Sequence, residues 1–244
     1  MKKIMITTIV TACMALTSCG LTSTPTDDSN LTETSNSKME NCDIIFGGVN
    51  FGKSQNLGDT IVALGKDTLR IQAGEKTDFF CDPKGKATNT TAPIVHSTID
   101  NTKPFTFTVK VTPEFTPEGT YSAGALFAFV DDNHWQKLCF EQDEDGNHRI
   151  VTVRTVETSD DNNHQQVELP SVYLRMSSDT EVIGNYYSED GKNWHLVKIY
   201  KNEYPEKLYL SLSAQSPKDK CHRCLFSEVS LVEKPVSNFR NGQL

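Results

Sequence analysis

Two stretches of this sequence hold residue types whose spacing could do chemistry. The first is Trp135 to Glu141. If it is a strand, Trp135, Lys137, Cys139 and Glu141 fall on one face, and Gln136, Leu138 and Phe140 on the other. The second set reads as core packing. The first sets an aromatic ring, a cation and a carboxylate side by side, a combination that suits sugar recognition. Ring faces stack on pyranose C–H surfaces, and charged groups hydrogen-bond the hydroxyls. A Lys137–Glu141 ion pair on an ordinary sheet is the simpler alternative. The second stretch is Phe46-Gly-Gly-Val-Asn-Phe-Gly-Lys-Ser54. It fits the phosphate-loop pattern G-x-x-x-x-G-K-[ST] letter by letter at Gly47, Gly52, Lys53 and Ser54.

A phosphate loop works only where a helix follows it, because the helix N-terminus supplies the N–H groups and the dipole. Here Gln55-Asn-Leu-Gly-Asp59 follows, and then a Val/Ile-rich run. Gly47, Gly48 and Gly52 therefore read as turn glycines, and no nucleotide is expected. Elsewhere no segment keeps a helical period. Strand-like runs recur at Thr60–Leu64, Thr68–Ala73, Phe105–Val111, Gly124–Val130, Trp135–Glu141, Arg149–Val156, Val172–Met176, Val182–Ser188, Trp194–Tyr200, Leu208–Ala214 and Cys224–Val232. Turn chemistry separates them, as in Asp131-Asp-Asn133, Asp145-Gly-Asn147 and Asp190-Gly-Lys-Asn193. Many short strands with regular turns predict an all-β sandwich or jelly roll.

The N-terminus reads as an export signal. Lys2 and Lys3 precede a mostly apolar Ile4–Leu16, too short to span a bilayer. Leu16-Thr-Ser-Cys19 then resembles a bacterial lipobox, which implies cleavage before Cys19 and acylation there. The expected layout is a signal peptide at 1–18, a lipidated Cys19 with a Thr/Ser/Asp-rich tether at 19–41, and one β-sandwich domain at 42–244. This places the protein in a bacterial cell envelope, periplasm-facing or at the cell surface, with the lipid as its only membrane contact. The net charge of -8 argues against nucleic acid as a partner.

Five cysteines follow Cys19, at 42, 81, 139, 221 and 224. The C-x-x-C at 221–224 lacks a redox, haem or zinc context. It reads as a local disulfide or a coincidence of one hairpin, and a Cys42–Cys81 bridge stays open. No histidine spacing suggests a metal site, and no cofactor is expected.

Four motifs in order, from Leu69 to about Val232, carry a resemblance. They are Thr77-Asp-Phe-Phe80, the run from Gly124 through Asp131-Asp-Asn133 to Trp135-x-Lys137-x-x-x-Glu141, Val151–Asp160 ending in Ser-Asp, and Leu174-Arg175 followed by Tyr187-Ser-x-Asp-Gly-x-x-Trp194. They resemble a bacterial and fungal family of poorly characterised domains that includes the "regulation of enolase" protein. The resemblance implies a concanavalin A-like jelly roll of two antiparallel sheets and leaves activity open. Ligand grooves in that fold commonly lie on a concave sheet, so Trp135, Lys137, Glu141, Arg154, Tyr173 and Arg175 are expected to line one. The expected ligand is an oligo- or polysaccharide. The alternatives are a glycoside hydrolase and a structural or protein-interaction lipoprotein. For catalysis the one candidate is Glu141, because Glu141-x-Asp143-x-Asp145 faintly resembles the carboxylate signature of concanavalin-fold glucanases. The polar residues between those carboxylates favour a solvated hairpin tip instead. Ser188–Trp194 resembles the Asp-box, a structural hairpin.

Overall fold

The computed structural model describes residues 38–244 apart from Asp59. Signal, lipobox and most of the tether, Cys19 included, lie outside the described residues. Every regular element described is a strand. In chain order they are β1 (Glu40–Phe46), β2 (Val49–Gln55), β3 (Val62–Leu64), β4 (Thr68–Gly74), β5 (Phe79–Cys81), β6 (Thr88–Thr90), β7 (Ile94–Asp100), β8 (Phe105–Pro113) and β9 (Ala123–Asp131). There follow β10 (His134–Gln142), β11 (His148–Val156), β12 (Thr158–Gln166), β13 (Val172–Ser178), β14 (Val182–Ser188), β15 (His195–Lys201), β16 (Lys207–Gln215) and β17 (Cys221–Val232).

Two antiparallel sheets pack as a sandwich. The eight-stranded one runs β1-β2-β7-β16-β9-β10-β11-β12 and the seven-stranded one β15-β14-β13-β8-β17-β4-β3, while β5 and β6 pair as a separate hairpin. Alternation along each strand explains the layering. Leu126, Leu138, Phe140 and Ile150 of one sheet meet Val109, Leu174, Met176 and Phe226 of the other in the central core. The residues between them point outward, and on both sheets something covers part of that outer face.

On the eight-stranded sheet the cover is the β5–β6 hairpin. Phe79 sits edge-on to Phe127, Phe129 and Trp135 with ring centroids 5.3, 6.0 and 6.0 Å away. Edge-to-face geometry is the arrangement aromatic quadrupoles favour. The Ser159 hydroxyl on β12 accepts the Cys81 N–H at 2.9 Å, tying the hairpin to the sheet's far edge. On the seven-stranded sheet the cover is the C-terminal segment. Val236 and Phe239 pack on Tyr186 and Trp194.

The glycine-rich stretch is the β1–β2 hairpin. Gly47 and Gly48 have φ of 55° and 80°, the left-handed backbone a tight hairpin turn requires. Gly52 differs from its expected role: the two-residue turn already reverses the chain, and Gly52 lies inside β2. Lys53 donates across the hairpin to Asn41. No helix follows. Pairing also begins earlier than residue 42, since Glu40 opposes Ser54.

All five cysteines of the domain are free. Cys221 is exposed and Cys224 buried on one strand, so the C-x-x-C makes no local bridge. Residues three apart on a strand point to opposite faces.

Candidate functional site

Beside the β5–β6 hairpin, the outer face of the eight-stranded sheet holds a cavity of about 500 Å³. Small residues make the room. Ala123 and Ala125 on β9 sit directly opposite Glu141 and Cys139 on β10. Over these short side chains the Lys137 stem runs toward Gln215, which pairs with Ala123 from the other side. Lys137 is 3% exposed, and its Nζ lies 3.2 Å from Asp78 Oδ1 and 2.8 Å from Gln215 Oε1. Asp78 stands at the mouth of the hairpin, so the Lys137–Asp78 pair also holds the hairpin down.

Glu141 is 9% exposed and lines the same cavity. Among the described residues none hydrogen-bonds its carboxyl. Burial pushes its pKa from 4.5 up to about 8; Lys137 pulls it back, and Asp78, Asp161 and Asp143 add to the rise. At neutral pH Glu141 is therefore largely the neutral acid, with an O–H to donate. Burial alone would favour a neutral Lys137 amine. Asp78, with Cys139 and Glu141, outweighs it and holds the ammonium charged, above its ordinary range. Cys139 lies between them in the sequence, fully buried, its thiol pushed well up by burial, which makes it inert rather than a nucleophile.

The remaining walls come from three segments. Asp161 and Asn163 project from β12, Phe80 and Asn89 from the hairpin, and Tyr121 from the loop before β9. Tyr121 has φ of 61°, a left-handed conformation that costs a non-glycine residue about 1–2 kcal/mol. Its N–H bond to the Gln142 carbonyl at 2.7 Å helps hold it there. Asp143 is buried and structural. Desolvation raises its carboxyl, but Arg149 at 2.6 Å and the Asn147 and Asp145 N–H groups outweigh that and leave it below its usual range. In the acidic run after Glu141, Asp143 buckles the turn, while Glu144 and Asp145 are exposed at the hairpin tip.

Of the six residues expected to share a groove, Lys137 and Glu141 do. Trp135 lies on their face but is fully buried beneath Phe79, with Nε1 donating to the Asp132 carbonyl at 3.0 Å. It is a floor for the hairpin, not a stacking platform. Arg154 is on the opposite face. It pairs with Gln136, so register sends it to the sandwich side, where it lies 5.2 Å from the Tyr200 ring and 3.7 Å from Glu203. Tyr173 and Arg175 belong to the other sheet. Tyr173 donates to Glu228 at 2.8 Å. Arg175 donates to Thr108 and to the Gly242 carbonyl at 2.9 and 2.6 Å, with its guanidinium 3.6 Å from the Trp194 ring centroid. Burial lowers its pKa to about 10. It fastens the C-terminal segment. Ser188–Asn193 closes as a hairpin in which the Asp190 carboxylate accepts the Lys192 and Asn193 N–H groups, both at 2.8 Å.

The cavity residues missed by sequence reasoning include Asp78, Phe80, Tyr121, Asp161 and Asn163. Thr77-Asp-Phe-Phe80 stood out as a motif without suggesting a cavity. A second hollow of about 640 Å³ lies at the β9–β10 turn, lined by Asp131, Asn133, His134 and Glu157 among others. No buried ionisable side chain lines it, and Asp131 holds its own turn by accepting the Asn133 N–H at 2.9 Å. Among the described residues no group of three His, Cys, Asp or Glu side chains is placed to hold a metal ion.

Residues 60–234, which include every cavity residue named here, match the family described as "Protein of unknown function (DUF1349)". The chain belongs to that family. A DUF1349 domain of this build resembles a functionally unknown protein from Saccharomyces cerevisiae, at 22% identity and a TM-score of 0.65 over 82% of this chain and 97% of that one. Part of a GH43 protein from Bacillus licheniformis, BlXynB, is also similar, at 16% identity and a TM-score of 0.52, covering 68% of this chain and 33% of the enzyme. A bifunctional GH43-CE protein from Bacteroides eggerthii matches at 21% identity and a TM-score of 0.54, covering 71% and 22%. The chain thus spans a third or less of the length of those two enzymes, and at such identity the likeness is one of fold. No curated protein matches the chain.

Proposed function

We propose that this DUF1349 domain binds carbohydrate in the cavity beside the β5–β6 hairpin, and that Cys19 carries the lipid that anchors it to a bacterial envelope membrane. The observation that carries the binding proposal is a buried Glu141 carboxyl without a protein partner, facing a cavity that also holds the Lys137 ammonium. Burying such groups costs free energy unless something hydrogen-bonds them. A polyhydroxyl ligand supplies donors and acceptors together. Phe80 and Tyr121 at the rim provide ring faces for the sugar's apolar side. The sandwich domains shared with two carbohydrate-active proteins are consistent with this and add no residue-level support.

Glycan-array binding of the purified protein tests it. Wild type should bind a defined glycan class, and Phe80→Ala and Glu141→Gln should each weaken that binding at least tenfold while the protein stays folded. Equal binding by both variants, or no binding to any glycan, overturns the proposal. Acylation at Cys19 is checked by mass spectrometry of the N-terminal peptide, and an unmodified mature Cys19 would contradict it.

A second reading is favoured by the pKa of Glu141. A carboxylic acid still protonated at neutral pH, beside the carboxylates Asp78 and Asp161, has what a glycosidic general acid needs. Release of reducing ends from the bound glycan, abolished by Glu141→Gln, would establish an enzyme; binding without release leaves a binding module.

A further inference from the structure

The charges around the cavity do not balance. Asp78 is matched by Lys137 at 3.2 Å and Asp143 by Arg149 at 2.6 Å. Both cations are then used. Among the described residues Glu144 and Asp161 line the cavity with no ion pair, Glu141 is a neutral acid that can still give up its proton, and the other lining cation, Lys218, is exposed. A uronate, sulfate or phosphate would enter against this field. A neutral sugar would leave it unanswered.

We propose that the cavity selects a sugar bearing a free primary ammonium, an amino hexose without its N-acetyl group, with Glu141 accepting from the nitrogen and Asp161 adding to the negative field around it. This rests on the carbohydrate reading above and adds the ligand's charge to it. The buried, unpartnered Glu141 is the second observation that lifts the site above a mere acidic cluster. Asp161 lies across β11 from Lys137, since Lys137 pairs with Val153 and Val153 with Asp161. Glu141 lies four residues along β10 from Lys137, so the two carboxyls line the cavity from different strands.

A proton balance follows. The groups that act on Glu141 are Lys137 on its own strand, Asp78 from the hairpin, Asp161 from β12 and Asp143 from the turn; Tyr121 feels the same carboxylates, its phenol raised by desolvation and by Glu144, Glu141 and Asp143. The ligand's ammonium adds one positive charge to this group. The O–H bond of Glu141 breaks, its proton passes to solvent, and the ammonium–carboxylate pair remains. Binding of an amine near neutral pH should therefore release close to one proton. Affinity should rise about tenfold per pH unit between pH 6 and 7, where Glu141 is protonated in the free protein.

The experiment is titration calorimetry of the purified protein in buffers of different ionisation enthalpy. The probes are β-1,4-linked glucosamine tetramer, its fully N-acetylated form, a galacturonate tetramer and 1,5-diaminopentane. The expected result is tightest binding of the glucosamine tetramer, by at least tenfold, with proton release that Glu141→Gln removes. Asp161→Asn, on an exposed strand and so safe for folding, should erase most of the preference. Equal affinity for the N-acetylated tetramer, or tighter galacturonate, overturns the charge inference and leaves carbohydrate binding standing. Diaminopentane binding as tightly as the tetramer keeps the ammonium site and overturns the sugar. Binding of none of the four overturns the inference, with the glycan array deciding separately on carbohydrate.

Discussion

Replacing Glu141 by Gln should make the protein more stable at high pH and remove part of its pH dependence. The carboxyl titrates at 4.5 when unfolded and at about 8 in the fold. The folded state thus holds this proton more tightly than the unfolded one. Its contribution is fully present below pH 4.5 and is lost as pH rises through 8. At 1.36 kcal/mol per pH unit, the loss reaches about 5 kcal/mol by pH 9 and about 3 kcal/mol at pH 7, as upper bounds without relaxation. Gln keeps the volume and cannot ionise. Urea unfolding of wild type and Glu141→Gln at pH 5, 7 and 9 gives the difference. It should be small at pH 5 and favour the variant by several kcal/mol at pH 9. The subtraction removes other titrating groups. Burial lowers His96 to about 3 and His222 to about 4, and their stabilisation is instead lost as pH falls below the ordinary histidine value. A difference between the two proteins that does not change with pH would refute the buried, unpartnered carboxyl.

Other consequences reach different parts of the molecule. Lys137→Ala removes a buried cation and strips the half-buried Asp78 of its partner, and should cost ~3 kcal/mol in denaturant unfolding, with Asp78→Leu in the same chain recovering part of it. Arg175→Ala should cost ~2–3 kcal/mol and speed proteolysis of the C-terminal segment, while glycan binding stays unchanged. Gly47→Ala places a Cβ 2.3 Å from Val229 Cγ1 and should be markedly worse than Gly48→Ala, where nothing lies within 4 Å and only backbone strain of ~1 kcal/mol remains. In thiol titration, Cys221 should react at once in the native protein, whereas buried Cys81, Cys139 and Cys224 should react only on unfolding.

The fold was legible where one face of a strand is apolar and the other is not. Parity alone put Lys137 and Glu141 on a common outward face, and the observed registers agree. It was silent for β12, whose Thr-Ser-Asp-Asp-Asn-Asn-His-Gln-Gln has no apolar period because both faces of that edge strand are largely exposed. Yet β12 supplies Asp161 and Asn163 to the cavity. Trp135 was misjudged because what covers it comes from residues 79–90, a pairing that no local pattern announces. Arg154 failed on register: strand parity gives faces, but only the partner strand says which face of β11 meets which face of β10. Tyr173 and Arg175 sat on a correctly read outward face, but of the other sheet, and the C-terminal segment that occupies it carries no strand signal.

The most direct test is the crystal structure of the protein with its tightest array glycan. The sugar should lie against Glu141 and Lys137, between the β5–β6 hairpin and β12, with Phe80 or Tyr121 on its ring. A sugar bound instead on the Tyr173 face of the seven-stranded sheet, or in the hollow at Asp131–Asn133, would contradict it.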